Sequence, residues 1–318
     1  MELVRTERQK ELGSDVWEPI VLRDQTPYYR TTWGAAYLGD AKQLLSKIPT
    51  GKVDLIVTSP PFALIRKKDY GNVDAEHYVS WFVDSFAEHF KRVLAPDGSL
   101  VIEIGGSWLG GSPRKSLYNF ELLLALSKKF QFIQDFYWYN PAKLPSPAEW
   151  VTVRRVRVKD AVSTIWWFAN SENPKADNRA VLRPYSDSML DLLKNGYKAK
   201  LRPSGHDISE KFAKRNSGSI PPNIIISSNT DSNSRYLKLC RENKVKPHPA
   251  RFPPDIPRFF IKFLTVEGDV VLDPFGGSNT TGALAESLRR HWLSFEIEED
   301  YLKGSRFRFD LEQDHLQD

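Results

Sequence analysis

The chain has 318 residues, 41% hydrophobic and 27% charged, and its 45 Lys and Arg against 40 Asp and Glu leave a formal charge of +5. Mean hydropathy is −0.45 and the pI about 9.0. No run approaches the ~20 apolar residues of a membrane-spanning helix, so the balance is that of a globular protein, not a membrane one, that tolerates a polyanionic partner. One cysteine, Cys240, excludes an internal disulfide and a cysteine-built zinc cluster and points to a reducing, cytoplasmic compartment.

Residues 1–30 read as a polar arm with none of the apolar centre of a secretory signal. Strand–helix alternation follows over 31–170. TWGAAYLGD (32–40) precedes the helical AKQLLSKI. VDLIVTS (53–59) is a continuous apolar run ended by Pro60-Pro61, which suits a strand buried on both faces of a parallel sheet. Residues 75–94 carry apolar positions at helical spacing and stop before Ala95-Pro96-Asp97-Gly98, which reads as a turn. Residues 99–106, 132–140 and 161–169 are further strand candidates. From 171 to 246 the chain is rich in Lys, Arg, Ser, Asn, Gly and Pro, and between Lys175 and Arg215 bases outnumber acids two to one. That segment is either a solvated insertion or a loop-rich module that touches a polyanion. Alternation returns over 247–318 with the helix PDIPRFFIKFLTV, the strand DVVLDPF, the helix TTGALAESLRRH and the strand WLSFEIEE. Strands alternating with helices predict an α/β sheet with helices on both faces.

Two turns carry chemistry. In DVVLDPFGGSNTTG a strand runs through Asp273 and Pro274 into Phe275-Gly276-Gly277, where the backbone can approach a ligand closely, and Asn279 or Thr280 can cap the next helix. Glu296, 23 residues beyond Asp273, ends the following strand, where an acid can hold both hydroxyls of a ribose. The turn is neither G-x-G-x-x-G nor a phosphate-binding loop with Gly-Lys-Ser/Thr, so a pyrophosphate is disfavoured. An acid at the tip suits an adenosyl ligand with a cationic centre. The second turn is Thr58-Ser59-Pro60-Pro61-Phe62. Its prolines fix the backbone and remove two donors, leaving carbonyl oxygens and the Ser59 hydroxyl beside the Phe62 ring. Acceptors next to a stacking face match a planar base bearing an exocyclic amine.

VTSPPF together with LDPFGGSNTTG resembles the β group of DNA amino-methyltransferases, with LAPDGSLVIEIGG, FYWYNPAKLPSP and HPARFP in matching order. RPSGHDI and GSIPPN look most like type II restriction-modification N4-cytosine enzymes of the PvuII type. The resemblance implies a seven-stranded Rossmann-like, S-adenosylmethionine-dependent sheet split into a catalytic half (31–170), a target-recognition region (171–246) and a cofactor-binding half (247–318). It implies methyl transfer to N4 of a cytosine swung out of duplex DNA. Ser59 in place of Asp favours cytosine over N6 of adenine, which stays as an alternative beside structured RNA and a non-catalytic DNA-binding protein. Ser59, Pro60, Pro61 and Phe62 would be catalytic, and Phe62, Tyr137, Trp138 and Tyr139 would wall the base. Asp273, Pro274, Phe275, Gly276, Gly277 and Ser278 would line the cofactor pocket, with Asn279 and Thr280 at the methionine carboxylate and Glu296 on the ribose. Asp40 would accept from the adenine amine, while His248, Pro249, Ala250, Arg251 and Phe252 close over the methionine end. Arg202, His206, Lys211, Lys214 and Arg215 are the expected DNA contacts. No metal is expected, since His248 has no partner at ligand spacing, and Cys240 lacks the Pro-Cys setting of cytosine C5 chemistry. The expected enzyme is a bacterial cytoplasmic monomer or weak dimer with a possible separate endonuclease.

Overall fold

The computed structural model describes residues 22, 24–63, 73–195, 216–229 and 234–309. In chain order these form β1 (Tyr29–Arg30), β2 (Gly34–Leu38), α1 (Ala41–Ser46), β3 (Val53–Thr58) and α2 (Ala75–Phe82), which runs through one π turn (Val83–Ala87) into α3 (Glu88–Val93). Then come β4 (Leu94–Ile104), α4 (Tyr118–Leu126), β5 (Gln131–Tyr139), β6 (Val162–Ala169) and α5 (Asp187–Asn195). The chain ends with β7 (Ile224–Ile226), α6 (Arg235–Glu242), α7 (Asp255–Leu264), β8 (Val270–Asp273), α8 (Thr280–Ser287), β9 (His291–Glu296) and α9 (Glu299–Ser305). No described helix is long and apolar enough to cross a membrane.

All the strands join one sheet in the order β1-β2-β9-β8-β3-β4-β6-β5-β7. Its inner five, β2, β9, β8, β3 and β4, are parallel, and β6 runs antiparallel between β4 and β5. The described strands number nine where the resemblance implied seven; the additions are short edge pieces, β1 antiparallel on β2 and β7 parallel on β5. β3 alternates between two cores because every residue of it is buried. Ile56 shares a core with Tyr78, Phe82 and Phe90 of the α2–α3 run, while Leu55 and Val57 share the other with Ile256 and Phe260 of α7 and Leu284 and Ala285 of α8. The connection from β3 to β4 therefore covers one face and that from β8 to β9 the other. β3 and β8 sit side by side at the point where the winding reverses, which opens a crevice beyond their carboxyl ends.

Three expectations change. β4 begins at Leu94 rather than 99, because 95–98 is a bulge and not a terminating turn: Val53 pairs with Leu94, but Leu55 already pairs with Ser99. Gly98 makes this tight loop possible, since a Cβ there would lie 3.0 Å from the Ala95 backbone. The end of the polar arm belongs to the fold, with Leu22 buried and β1 paired to β2. The basic segment also contributes structure: Lys175 bridges Asp54 (3.0 Å) and Asp269 (2.8 Å) at the amino edge of the sheet, and Arg179 pairs with Asp177. Lys175 is therefore committed to neighbours within the chain, whereas Arg179 and Asp177 form an exposed pair.

Candidate active site

Ser59 follows β3 and Asp273 ends β8, so adjacency of the two strands brings both turns together. Ser59, Pro60, Pro61 and Phe62 line one cavity of about 620 Å³ with Asp273, Pro274, Phe275, Gly276, Gly277, Ser278, Thr280 and Glu296. A volume in this range holds a small-molecule ligand. The two motifs are bolted to each other: Thr58 Oγ1 donates to Asp273 Oδ1 (2.8 Å).

That bolt gives Asp273 a structural role beside the expected one. Only 4% exposed, it accepts from Thr58, from the Phe275 N–H (3.1 Å) and, through Oδ2, from Thr281 Oγ1 (2.8 Å). Burial raises its carboxyl to about 6, and these three donors pull against the rise. Three donors leave this carboxylate acceptor capacity, and it lines the cavity, so it brackets β3, β8 and α8 while still bordering the ligand space. Asn279, by contrast, changes role. It is 1% exposed with φ +52°, its Oδ1 accepts from the Gly282 N–H (3.1 Å), and its Nδ2 donates to Tyr29 Oη (2.9 Å). It caps α8 from inside the core and does not line the cavity, whereas Ser278 and Thr280 do.

The glycine turn is packed closely against its neighbours within the protein. A Cβ on Gly276 would meet Ser294 Oγ at 2.0 Å, and Gly277, at φ +52°, brings its Cα under the His248 ring, 3.2 Å from where a Cβ would stand. Glu296 Oε2 accepts from the Gly277 N–H (2.8 Å), and Oε1 from Ile297 (2.8 Å) and Glu298 (2.9 Å). Three donors on a carboxylate with about four lone-pair directions leave acceptor capacity facing the cavity. Burial raises the Glu296 carboxyl above its ordinary range. Asp40 lies at the cavity margin, but its Oδ1 accepts from the Gln43 N–H (3.1 Å) and caps α1.

His248, Ala250, Arg251 and Phe252 line the cavity; Pro249 is not among its lining residues. The His248 N–H donates to Tyr236 Oη (3.0 Å) and its Nδ1 to the Ala250 carbonyl (2.7 Å). Burial pushes the imidazole down to about 4, so the ring over Gly277 is neutral. Arg308, which the sequence did not single out, grips this corner: Nε donates to the Ser278 carbonyl (2.6 Å), NH2 to Ser278 Oγ (3.0 Å), and its guanidinium lies 4.5 Å from the Tyr236 ring centroid.

On the other side Phe62 lies against Gly105, where a Cβ would come within 2.7 Å of its ring. Of the three β5 aromatics expected to wall the base, only Trp138 lines the cavity, its indole N–H donating to the Ser227 carbonyl (2.8 Å). Strand alternation turns Tyr137 to the opposite face, where it is exposed, and Tyr139 is likewise not a lining residue. Arg202, His206, Lys211, Lys214 and Arg215 lie outside the described residues. Cys240 is buried on α6 and does not line the cavity.

The sequence reading missed Glu103. It is 3% exposed near the end of β4, and its Oε2 accepts from Ser59 Oγ (2.7 Å). Burial pushes its carboxyl up to about 7, against the hydrogen bonds of Ser59 and Ser163. An acid inside the otherwise apolar strand LVIEI was the available signal. The site thus offers a serine hydroxyl on a carboxylate that titrates near neutrality, beside a glycine turn with a carboxylate behind it.

Comparisons with known proteins bear on this arrangement. A family model described as DNA methylase matches residues 53–306. The type II methyltransferase M.PvuII of Proteus hauseri is 50% identical over 288 residues, 89% of this chain and 85% of that protein. The solved PvuII DNA methyltransferase (cytosine-N4-specific) superposes with TM-score 0.74 at 43% identity, covering 92% of this chain and 91% of that one. A Thermus thermophilus protein, TTHA0409, solved complexed with S-adenosyl-L-methionine, shares the fold at TM-score 0.53 and 20% identity, over 86% of this chain and 91% of its own.

Proposed function

Since the chain belongs to the N6/N4 DNA methylase family, we propose that it moves the methyl group of S-adenosylmethionine onto N4 of a cytosine extruded from duplex DNA, as the type II modification enzyme of a bacterial restriction-modification system. One observation carries this reading. The acceptor-lined Ser59 corner and the Gly276–Gly277 turn open into the same cavity. Residues 31–170 with 247–318 serve as the methyltransferase unit, and 171–246 as the region that reads sequence. The fit of the cofactor rests on the turn, where a Cβ at Gly277 would stand 3.2 Å from the His248 ring in the cavity wall, and on the acceptor capacity of Glu296.

When bound, S-adenosylmethionine supplies an electrophilic methyl on a sulfonium. Glu296 would take a ribose hydroxyl through its remaining acceptor site, and Ser278 and Thr280 at the start of α8 would suit the methionine carboxylate. Asp40 borders the adenine side, and the neutral His248 with Ala250, Arg251 and Phe252 shuts the methionine end. The cytosine must leave the stack, because N4 is out of reach inside a duplex, and this costs a few kcal/mol. Stacking on Phe62, worth about 1–3 kcal/mol, offsets part of that cost, and Trp138 bounds the opposite side.

The cytosine amine is a weak nucleophile because its lone pair is delocalised into the ring. Ser59 Oγ, already donating to Glu103, turns its lone pairs outward and accepts one amine hydrogen, while the Pro60 carbonyl accepts the other. Both bonds favour a pyramidal nitrogen whose lone pair points at the methyl, so positioning and electrostatics do most of the work. The N–C bond forms as the C–S bond breaks. The methylated nitrogen is then strongly acidic and passes a proton to Ser59 as Ser59 passes its own to Glu103. A carboxylate that titrates near 7 is matched to that transfer at neutral pH.

A tritiated-methyl assay followed by nucleoside analysis tests the reading: N4-methylcytosine is expected, whereas N6-methyladenine as the product, or preference for transcripts over plasmid DNA, overturns it. Two variants test the cofactor side. Glu296→Ala removes a ribose acceptor and the partner of the Gly277 N–H, and its dissociation constant for S-adenosylmethionine should rise at least about tenfold, equivalent to 1.4 kcal/mol; calorimetry giving the wild-type value refutes the assignment. Arg308→Lys keeps the charge but cannot fork onto both Ser278 oxygens. It should raise KM for S-adenosylmethionine with kcat nearly unchanged, and a loss of kcat alone contradicts a positioning role.

A further inference from the structure

We propose that the excursion between β5 and β6, residues 141–160, is a second DNA-binding surface, outside the 171–246 region and gripping the duplex phosphates beside the extruded base. It rests on the reading that duplex DNA is the substrate. The topology puts this segment over the site: Asn140 pairs with Ala161, and β6 begins antiparallel to the carboxyl end of β4, with Ile104 opposite Thr164 and Glu103 opposite Ile165. The excursion therefore leaves the sheet at the edge that carries Ser59 and Glu103. Lys143, Trp138 and Ser163 line the same cavity as Ser59, at the foot of the segment.

Its chemistry matches a polyanion. PAKLPSPAEWVTVRRVRVKD holds five bases and two acids, a surplus of three in a chain whose total surplus is five. The segment is ordered from within. Trp150 is buried, its carbonyl accepts from the Val156 (2.9 Å) and Arg157 (3.1 Å) N–H groups, and the Asp160 N–H donates to the Ser146 carbonyl (3.0 Å). Arg157 is held by Asp160, and Lys159 donates to the Lys143 carbonyl (3.1 Å). Arg154, Arg155 and Lys143 stay exposed. Arg154 reaches Glu149 through Nε (2.7 Å), an exposed pair that competing phosphates can outbid, and among the described residues Arg155 makes no hydrogen bond or ion pair. Beside them Leu144 and Val158 are 79% and 86% exposed, with Val153 and Val156 also in solvent. Exposed apolar groups alternating with exposed guanidinium groups suit a surface that a partner covers, with cations on phosphates and aliphatic groups on deoxyribose.

Each phosphate contact adds about 0.9 to the slope of log affinity against log salt. The double variant Arg154→Gln/Arg155→Gln should therefore lower that slope by about 1.8 and raise KM for the plasmid DNA that the wild-type enzyme methylates. Calorimetry should return the wild-type S-adenosylmethionine dissociation constant, and the charge-keeping Arg154→Lys/Arg155→Lys should retain most of the slope. If the double variant melts early, Arg155→Gln alone carries the test with a loss of about 0.9. An unchanged slope and KM in variants of an enzyme that does methylate duplex DNA overturns the second surface only. Wild-type protein that neither binds nor methylates duplex DNA overturns the underlying reading, and the second surface with it.

Discussion

Ser59→Ala is expected to lower kcat about 10²–10³-fold, the cost of deleting one preorganised polar group at a reacting centre, while the dissociation constant for S-adenosylmethionine stays at its wild-type value. The separation follows from position. Ser59 bonds to Glu103, whereas the glycine turn is shaped by Asp273, Glu296 and Arg308. The backbone survives the change, because Thr58 still anchors the turn to Asp273. Single-turnover kinetics measures the chemical step and calorimetry the cofactor; an unchanged chemical rate removes the serine from the mechanism.

Glu103→Gln is the second large effect, expected to cost about 10²–10³-fold in kcat because an amide accepts a hydrogen bond from Ser59 but takes no proton. Its pH signature distinguishes it from general damage. With its carboxyl pushed up to about 7 by burial, wild-type kcat should rise through that region as Glu103 ionises, and the variant should lack this rise. Stability should move the opposite way. Unfolded, Glu103 ionises near its ordinary 4.5; folded, it keeps its proton to about 7. The native state therefore binds more protons across that window, so stability falls as pH rises from about 4.5 to 7 and stays low above it. Glu103→Gln should flatten that fall, and thermal unfolding at pH 5 and pH 8 measures it. A variant with the wild-type acid limb in its rate profile contradicts the proton-acceptor role.

What the sequence made legible follows from which features are local. Ser59-Pro60-Pro61-Phe62 after an apolar run and Gly276-Gly277 after another fix where backbone turns, and both turns lie where the strand pattern requires. Side-chain direction is not local. Asn279 has the residue type of a ligand group, yet it is turned inward by a partner far off in the chain, Tyr29, and Asp273, which lines the cavity, is tied to the equally distant Thr58. Likewise Tyr137 and Trp138 are neighbours in sequence but face opposite sides of β5, a distinction set by register with β6 and β7. Lys175 looked like part of a polyanion surface until Asp54 and Asp269 took it up at the far edge of the sheet. Glu103 stayed hidden because an acid in a strand acquires meaning only when the adjacent strand delivers Ser59 to it.

The most direct measurement is a crystal structure of the enzyme with a target duplex and a non-reactive amino analogue of S-adenosylmethionine. The cytosine should lie outside the helix with N4 at hydrogen-bond distance, about 2.6–3.2 Å, from both Ser59 Oγ and the Pro60 carbonyl, and the analogue should lie along Gly276–Gly277 with its ribose on Glu296. A target base still stacked in the duplex, or an N4 held by other groups while Ser59 contacts only Glu103, contradicts this arrangement.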